Sequence, residues 1–274
     1  MRRTLALLLV LVSAACAGDP PPPLPSDAVA VLAPSPDVLA AGTGAMTPLM
    51  MALAREIAAG TGHAFRVEPS IGSGGGIAAA RDGAVDLGLV SRPLYPEEAK
   101  GLERVDIARD AVVLAAASDV PVDNLSTDDL YRLYQGELRG ITLLLRDESE
   151  SANTALEASY PGLAEERRHS AETGRFRVLD HDDAMALALA TTPRAVGVFS
   201  LAAVRPPLRA LRLDGVAPTP EALARGTWRA TRTLGVVFRP ERRERVLPIL
   251  AMASSERGRA LIRALGYVPL GAGR

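Results

Sequence analysis

One local pattern recurs along this chain: a short apolar run, a turn of glycine or hydroxyl residues, and then apolar residues at helical spacing. In the first part, the pattern predicts strands at 29–33, 65–68 and 85–90 and helices at 48–59 and 77–82. Strands that alternate with helices in this way are typical of βα units. They predict an α/β fold built on a mostly parallel sheet.

The second part of the chain repeats the alternation. Apolar runs predict strands at 111–117, 141–145 and 195–200, and helical spacing predicts a helix at 184–190 and a final helix at 243–265. We expect the strand at 111–117 to carry the chain into a second lobe and the strand at 195–200 to lead it back.

Composition narrows the class of protein. The chain has 274 residues, 31 basic and 32 acidic side chains, and 48% hydrophobic residues, which argues against disorder, a collagen-like fold and nonspecific polyanion binding. A single cysteine excludes a disulfide framework and a thiolate-rich zinc site. Lys100 is the only lysine, so Schiff-base or general-base lysine chemistry is excluded from most of the chain.

The first residues have the three parts of an export signal: two arginines, an apolar run at 5–12, and small residues that end at Cys16. The apolar run is too short to span a bilayer. Because the segment resembles a bacterial lipobox, we predict a signal peptide at 1–15, lipidation of Cys16, and a proline-rich tether at 16–27. The alternative is an ordinary signal peptide cut after Ala15 or later.

Four turns place small or hydroxyl residues between a strand end and a helix start, at 43–47, 72–76, 91–92 and 146–154. The N-terminus of a helix offers unpaired N–H groups and a partial positive charge. Ligands of open parallel sheets lie beyond the carboxyl ends of the strands. Converging turns would therefore form an oxyanion site, whereas each turn taken singly is equally consistent with a bend, a helix cap or a surface arginine.

Together these segments resemble the phosphate-binding proteins of Pst-type ABC transporters. The resemblance rests on the turn at 42–48, the glycine string at 71–77, the segment at 83–94, and shorter matches at 124–126, 133–137, 195–201 and 213–218. It implies a two-lobed, hinged, type II periplasmic-binding fold with a mostly parallel sheet and flanking helices in each lobe. Lobe I would comprise 28–110 plus 202–274, and lobe II would comprise 111–201.

The resemblance also implies a function: an exported, extracytoplasmic lipoprotein that captures inorganic phosphate by lobe closure and delivers it to an ABC permease. The implied partners are phosphate, the permease and, through a lipid anchor, the membrane. The protein would act as a monomer, without a cofactor, a metal ion or a nucleic-acid partner. Sulfate, tungstate or molybdate is the alternative ligand.

The binding residues that the resemblance implies are Thr43, Ala45, Met46, Thr47, Ser73, Gly74, Arg92, Arg146, Glu150, Ser151 and Thr154. Ala45 stands where relatives often have serine or threonine. Arg92 stands where some relatives have an aspartate that accepts the phosphate proton. A protonated phosphate needs such an acceptor, so Asp147, Glu148 or Glu150 would have to supply it, and Glu150 is the preferred candidate.

Two further classes of function remain open. Ser73 could be a nucleophile, but its turn is not the Gly-x-Ser-x-Gly elbow of serine hydrolases. An enzymatic function is therefore less favoured than a binding function. The run His181-Asp182-Asp183 could hold a metal ion but lacks a second histidine at helical spacing, and a solvated or capping turn is favoured. A sensor or interaction lipoprotein on the same fold cannot be separated from a transport protein by sequence.

Overall fold

A strand of 14 residues, Glu103–Ala116, organises the fold. The computed structural model describes residues 38–61 and 64–271. The strands are β1 Val38–Gly42, β2 Phe65–Val67, β3 Leu87–Val90, β4 Glu103–Ala116, β5 Asn124–Leu125, β6 Thr142–Arg146, β7 Arg177–Leu179, β8 Ala195–Ser200, β9 Arg209–Ala210, β10 Arg212–Leu213, β11 Thr231–Phe238 and β12 Val268–Pro269. The helices are α1 Thr47–Thr61, α2 Gly72–Asp82, α3 Thr127–Gln135, α4 Ser151–Glu157, α5 Leu163–Glu172, α6 Asp182–Thr191, α7 Pro220–Arg225, α8 Arg243–Ser254 and α9 Glu256–Ala264.

Ten of the described strands form one mixed sheet. Its main path runs β2–β1–β3–β11–β4–β8–β6–β7, while β9 and β12 pair with β4. Strands β1, β2 and β3 are parallel, and so are β6, β7 and β8. Strands β4 and β11 run antiparallel to their neighbours in the middle of the path. The predicted α/β class is confirmed, and each end of the sheet is parallel.

Strand β4 belongs to both parallel ends. Its residues Glu103 to Ala111 pair with β11, and its residues Val112 to Ala116 pair with β8. The change of partner falls at Asp110 and Ala111, where side chains are fully buried. Residues at this point of β4 can therefore contact groups from both ends of the sheet.

The buried apolar side chains form separate clusters. The largest combines Ala111–Ala116 of β4 with β6, β8 and apolar side chains between Leu211 and Ala230. A second cluster combines β1, β3, β11, α1 and α8, and a third packs α2 against the sheet. The lobe boundaries stay a prediction, and this packing favours adding the segment from Leu211 to Ala230 to lobe II.

Helix α2 packs directly on the strand backbone. A Cβ atom on Gly76 would lie 2.7 Å from the Cα of Gly42 and 2.9 Å from the carbonyl oxygen of Ala41. Gly42 itself has a φ of +151°, and a Cβ there would lie 2.2 Å from the carbonyl oxygen of Leu89. Glycine is needed at both positions, and the contact places the start of α2 beside the ends of β1 and β3.

The structure corrects several predicted elements. The glycines at 72–76 form the first turn of α2 rather than a turn before it, because the close contact at Gly76 requires a residue without a side chain. Strand β4 begins at Glu103 rather than at 111. The predicted strand at 29–33 lies outside the described residues.

The predicted final helix is in fact two helices. Ser255 is extended, with φ −68° and ψ 162°, and its hydroxyl accepts a hydrogen bond from the N–H of Gly258. This side-chain cap starts α9 after α8 has ended. Apolar spacing continues across the break, which explains why the sequence pattern did not reveal it.

We predict that Gly76→Ala lowers the free energy of unfolding by about 1–3 kcal/mol, because the added methyl group must displace backbone atoms. Gly74→Ala is the matched control: a Cβ there would find only Arg92 Nη2, at 3.9 Å, as a near neighbour. Alanine should stabilise the helix at that position by about 0.5–1 kcal/mol. Urea unfolding of both variants would measure the difference, and equal stability would contradict the backbone contact.

Candidate functional site

Polar side chains gather at the carboxyl ends of the parallel strands. Thr43 follows β1, Ser91 follows β3, Arg146 ends β6, and Ser200 ends β8. Asp182 begins the helix that follows β7. The strands therefore bring together residues that are far apart in sequence, as is usual for ligand sites on open α/β sheets.

Four buried hydroxyl groups form a continuous cluster around Ser91. The Ser91 Oγ lies 2.9 Å from Thr43 Oγ1, 3.2 Å from Ser73 Oγ and 2.6 Å from Ser151 Oγ. The Ser91 N–H also donates to Ser73 Oγ at 3.1 Å. A hydroxyl group donates or accepts according to its rotation, so this cluster can turn several donors toward one anion.

A buried ion pair borders the hydroxyl cluster. Arg232 on β11 donates from Nε to Asp110 Oδ2 at 3.0 Å and from Nη1 to Ser151 Oγ at 3.0 Å, and its Nη2 lies 2.9 Å from the same carboxylate oxygen. Ser200 donates to the other oxygen of Asp110 at 2.9 Å. The side chain of Asp110 is 0% exposed and that of Arg232 is 5% exposed.

Burial acts on the two partners in opposite ways. Desolvation raises the pKa of Asp110, although the charge of Arg232 and the hydrogen bond from Ser200 oppose the rise. Desolvation alone would lower the pKa of Arg232. The attraction of Asp110, added to that of its other acidic neighbours, outweighs desolvation, so the pKa of Arg232 is raised. A guanidinium keeps its proton in proteins, and the charge of Arg232 favours the ionised form of Asp110 against the effect of burial.

Arg146 is buried and only partly hydrogen-bonded. Its side chain is 1% exposed, and its Nη2 lies 2.5 Å from Glu150 Oε2 and 3.1 Å from Asp182 Oδ1. Within the described residues, its Nε and Nη1 have no hydrogen-bond partner. Burying such donors costs free energy that ligand oxygens would recover. Because Nε and Nη1 do not share an edge of the guanidinium group, each of them would take its own oxygen.

Arg92 has its own partner. It donates from Nη1 and Nη2 to the two carboxylate oxygens of Glu98 at 2.7 and 2.8 Å, and it lies over the ring of Tyr95. The hydrogen bond from Arg92 is the main reason why the pKa of Glu98 is lowered. Because its charge is balanced by Glu98, Arg92 is less available to an anion than the sequence suggested.

The remaining predicted residues fall in different places. Ala45 and Thr47 line a cavity that Asp182 and Ser200 also line. The Met46 side chain is buried in the apolar core, and its N–H donates to the carbonyl oxygen of Thr43. Thr154 is exposed, because α4 turns it away from the buried residues Ser151 to Asn153. Met46 and Thr154 therefore do not offer side chains to the site.

Sequence reasoning missed the ion pair and Ser200. Asp110 precedes an apolar run and Arg232 lies within an alternating segment, and no turn or glycine pattern marks either residue. A charged residue at the edge of a buried strand was the only available signal. The pairing itself joins positions that are 122 residues apart, so no local pattern could reveal it.

A cavity of about 560 Å³ adjoins the site. Gly44, Thr47, Asp182 and Ser200 line it on the side of the ion pairs, and Phe199 and Tyr267 are among its apolar lining. The Tyr267 hydroxyl donates to the carbonyl oxygen of Ala45 at 2.8 Å, which fixes the ring. The cavity gives solvent and small ligands a route to Asp182.

Comparison with known proteins places this arrangement in a family. The profile of the PBP superfamily domain matches residues 28–253. The chain belongs to the PBP superfamily. The similar PBP relatives include "Phosphate-binding protein PstS" of Bacillus subtilis, 27% identical over 204 residues, which are 68% of this chain and 65% of the relative. The chain thus aligns with less than two thirds of that relative's length.

Solved structures agree with the PBP assignment. A putative phosphate ABC transporter substrate-binding protein with bound phosphate from Clostridium perfringens has a TM-score of 0.77 at 23% identity, over 85% of this chain and 99% of that one. A phosphate transport receptor from Vibrio cholerae has a TM-score of 0.62 at 21% identity, over 84% and 99%. The predicted type II two-lobed fold and the predicted resemblance to PstS are confirmed.

Among the helices that the structure describes, none is both long and apolar enough to cross a membrane.

We predict that Arg232→Met alone lowers the free energy of unfolding by about 3–5 kcal/mol, because Asp110 would stay buried without its counter-ion. The double variant with Asp110→Leu should cost clearly less than the sum of the two single changes, since no buried charge is left unpaired. Urea unfolding would measure this coupling.

The exposed pair between Arg257 and Glu56 provides the control. Arg257→Ala should leave the urea midpoint essentially unchanged, because solvent screens that pair. Strictly additive effects of the Arg232 and Asp110 changes would contradict the coupling described for the buried pair.

Proposed function

We propose that this chain binds inorganic phosphate between its two lobes and presents it to the permease of an ABC transporter. The observation that carries the proposal is the buried guanidinium group of Arg146, whose Nε and Nη1 have no partner within the described residues. Guanidinium groups bind oxyanions through charge-assisted hydrogen bonds. An oxyanion oxygen at either nitrogen would remove the desolvation cost of that nitrogen.

The hydroxyl cluster supports a tetrahedral ligand. The Ser91 hydroxyl lies within hydrogen-bonding distance of the hydroxyl groups of Thr43, Ser73 and Ser151. Each hydroxyl can rotate to donate to a ligand oxygen. Glu150, which already accepts from Arg146, keeps the guanidinium in place at this cluster.

Closure of the two lobes is the proposed mechanism of capture. Thr43, Ser73 and Ser91 belong to segments that we assign to lobe I, and Arg146 and Ser151 belong to lobe II. The contact of 2.6 Å between Ser91 and Ser151 is a direct link between the two sets. An anion held by both sets would favour the closed form, because it binds that form more tightly than the open one.

The similar proteins support the choice of ligand and of transport partner. The Bacillus relative is named a phosphate-binding protein, and the similar structures are titled as phosphate ABC transport receptors. In our proposal the chain is a monomeric, extracytoplasmic binding protein and has no catalytic role. The predicted binding residues Thr43, Ser73, Arg146, Glu150 and Ser151 stay in the proposed site, which gains Ser91 and Arg232.

Calorimetric titration of the purified protein tests this function. We predict a phosphate Kd of about 1 μM or tighter, which is about −8 kcal/mol. Arg146→Ala should weaken binding by about 100-fold or more, because it removes the buried cation and its charge-assisted hydrogen bonds to the anion. The melting temperature of the empty protein should fall only modestly, since alanine also removes the two unsatisfied donors and the carboxylates that lose their partner, Glu150 and Asp182, are partly exposed.

Arg257→Ala serves as the control for binding, because Arg257 lies on α9 and pairs with Glu56 on α1. It should leave the phosphate Kd unchanged. Tight binding of tungstate, molybdate or sulfate in place of phosphate would reassign the ligand, and no binding of any of the four would refute the proposal. Unfolding of the Arg146 variant would instead show that the arginine is structural.

Membrane attachment is a separate part of the proposal and rests on the sequence at Cys16, which lies outside the described residues. We predict that Cys16→Ser abolishes partition of the mature protein into Triton X-114, because the thioether-linked lipid can no longer form. Mass spectrometry of the mature N-terminus provides the second readout. An unmodified N-terminus after cleavage at another bond would contradict lipidation.

A further inference from the structure

The cavity beside the site is far larger than an inorganic anion requires. Its volume is about 560 Å³, whereas one water molecule occupies about 30 Å³ of the liquid. Pockets that bind organic small molecules have volumes of about 300–1,000 Å³. An inorganic phosphate ion is comparable in size with a few water molecules, so the cavity has room for a further part of a ligand.

The cavity and the anion-binding residues share a border. Asp182 lines the cavity, and its Oδ1 lies 3.1 Å from Arg146 Nη2. Ser200 also lines the cavity, and its hydroxyl donates to Asp110 at 2.9 Å. Asp182 thus reaches both the guanidinium and the cavity, so a short group attached to an anion at Arg146 can extend past one side chain into this space.

The cavity is present although the segments around the site already touch. Ser91 Oγ lies 2.6 Å from Ser151 Oγ, and Arg232 Nη1 donates to the same Ser151 oxygen at 3.0 Å. These contacts join the segment after β3, the strand β11 and the start of α4. The cavity is therefore a space that remains once these segments are in contact, and it is not a gap between separated ones.

The inner wall of the cavity is apolar. Several of its lining side chains are buried and carry no charge: Ala45, Phe199, Ala202 and Tyr267. The exposed lining residues include the polar ones His181, Asp183 and Arg205. Apolar surface is covered favourably by carbon atoms of a ligand, and an inorganic anion has none. The wall therefore suits a carbon chain that carries any polar group only at its outer end.

We propose that this cavity receives the organic substituent of a phosphonate or a phosphate monoester whose phosphorus oxygens bind at Arg146. The inference rests on the proposed function, because it places those oxygens at the same guanidinium and hydroxyl cluster. It extends the ligand class from inorganic phosphate to compounds in which one oxygen position bears a short carbon chain. The ligand is bound unchanged, and no bond is formed or broken.

The division of the site into two kinds of surface supports this class of ligand. Different residues form the hydroxyl cluster around Ser91 and the apolar wall of the cavity. The Nε and Nη1 atoms of Arg146, which have no partner in the described part of the chain, add charged donors on the polar side. A phosphonate has one oxygen-bearing end and one carbon end, and it matches this division, whereas inorganic phosphate presents oxygens in all directions.

A homologous series of ligands gives the first test. Calorimetry on the purified protein would compare methyl-, ethyl- and propylphosphonate, which share one anionic group. Each methylene that is buried in the cavity should strengthen binding by about fourfold, so the Kd of propylphosphonate should be about tenfold lower than that of methylphosphonate. Equal Kd values along the series would overturn the inference, and so would the failure of all three to bind to a protein that binds inorganic phosphate.

The second test fills the cavity. Ala186 on α6 lines it and is partly buried, so Ala186→Leu places a larger side chain in the space for the substituent. In A186L the tenfold advantage of propylphosphonate should disappear, while the Kd of inorganic phosphate should change by less than about twofold. Ala190→Leu is the matched control, because Ala190 is an exposed residue of the same helix that lines a different cavity. It should retain the advantage.

The outcomes separate the alternatives. Retention of the propylphosphonate advantage in A186L would place the substituent elsewhere and overturn the inference, as would an equal weakening of inorganic phosphate and all phosphonates. If A186L does not fold, Ala203→Leu fills the same cavity from the segment after β8. Binding of propylphosphonate but not of inorganic phosphate would support the inference and refute the proposed ligand. Failure of both to bind would refute the proposed function and, with it, this inference.

Discussion

The buried ion pair between Arg232 and Asp110 is the interaction on which the rest of the site depends. Asp110 lies where β4 changes partner from β11 to β8, and Arg232 lies on β11. Through Ser200 and Ser151, the pair also reaches the end of β8 and the start of α4. One cation and one anion thus fix the relative positions of four elements, although Arg232 Nη2 is at ion-pair distance from Asp110 without a hydrogen bond.

This framework explains how a chain with a slight excess of acidic residues would form the proposed anion site. The formal charge of the whole sequence is −1, so the net charge does not attract an anion. Local groups would supply the attraction instead: the two nitrogens of Arg146 that lack a partner among the described residues and the hydroxyl groups gathered at the ends of the strands. Oriented donors in a desolvated place act more strongly on a ligand than exposed charges do.

The sequence predicted the parts of this protein that local rules govern. Alternating strands and helices predict the α/β class, and glycine and hydroxyl residues mark the segments near Thr43, Ser73 and Arg146, although Ser73 lies in the first turn of α2. The prediction for β4 is too short, since its first part, Glu103 to Asp110, has five charged residues and no continuous apolar run. The pairing of Asp110 with Arg232 and of Arg92 with Glu98 depends on tertiary contacts, which no spacing rule describes. Arg92 stays a predicted ligand whose charge Glu98 already balances, and no local pattern marks Arg232.

Both cations of the site are guanidinium groups, and this has a consequence for the range of conditions in which the protein can work. A lysine or histidine in the same place would lose its charge in alkaline or neutral surroundings, whereas a guanidinium keeps its charge throughout the range in which proteins stay folded. The positive charge of the site is therefore constant. Between acid and alkaline surroundings, only the acidic side chains of the site and a bound anion would change their protonation.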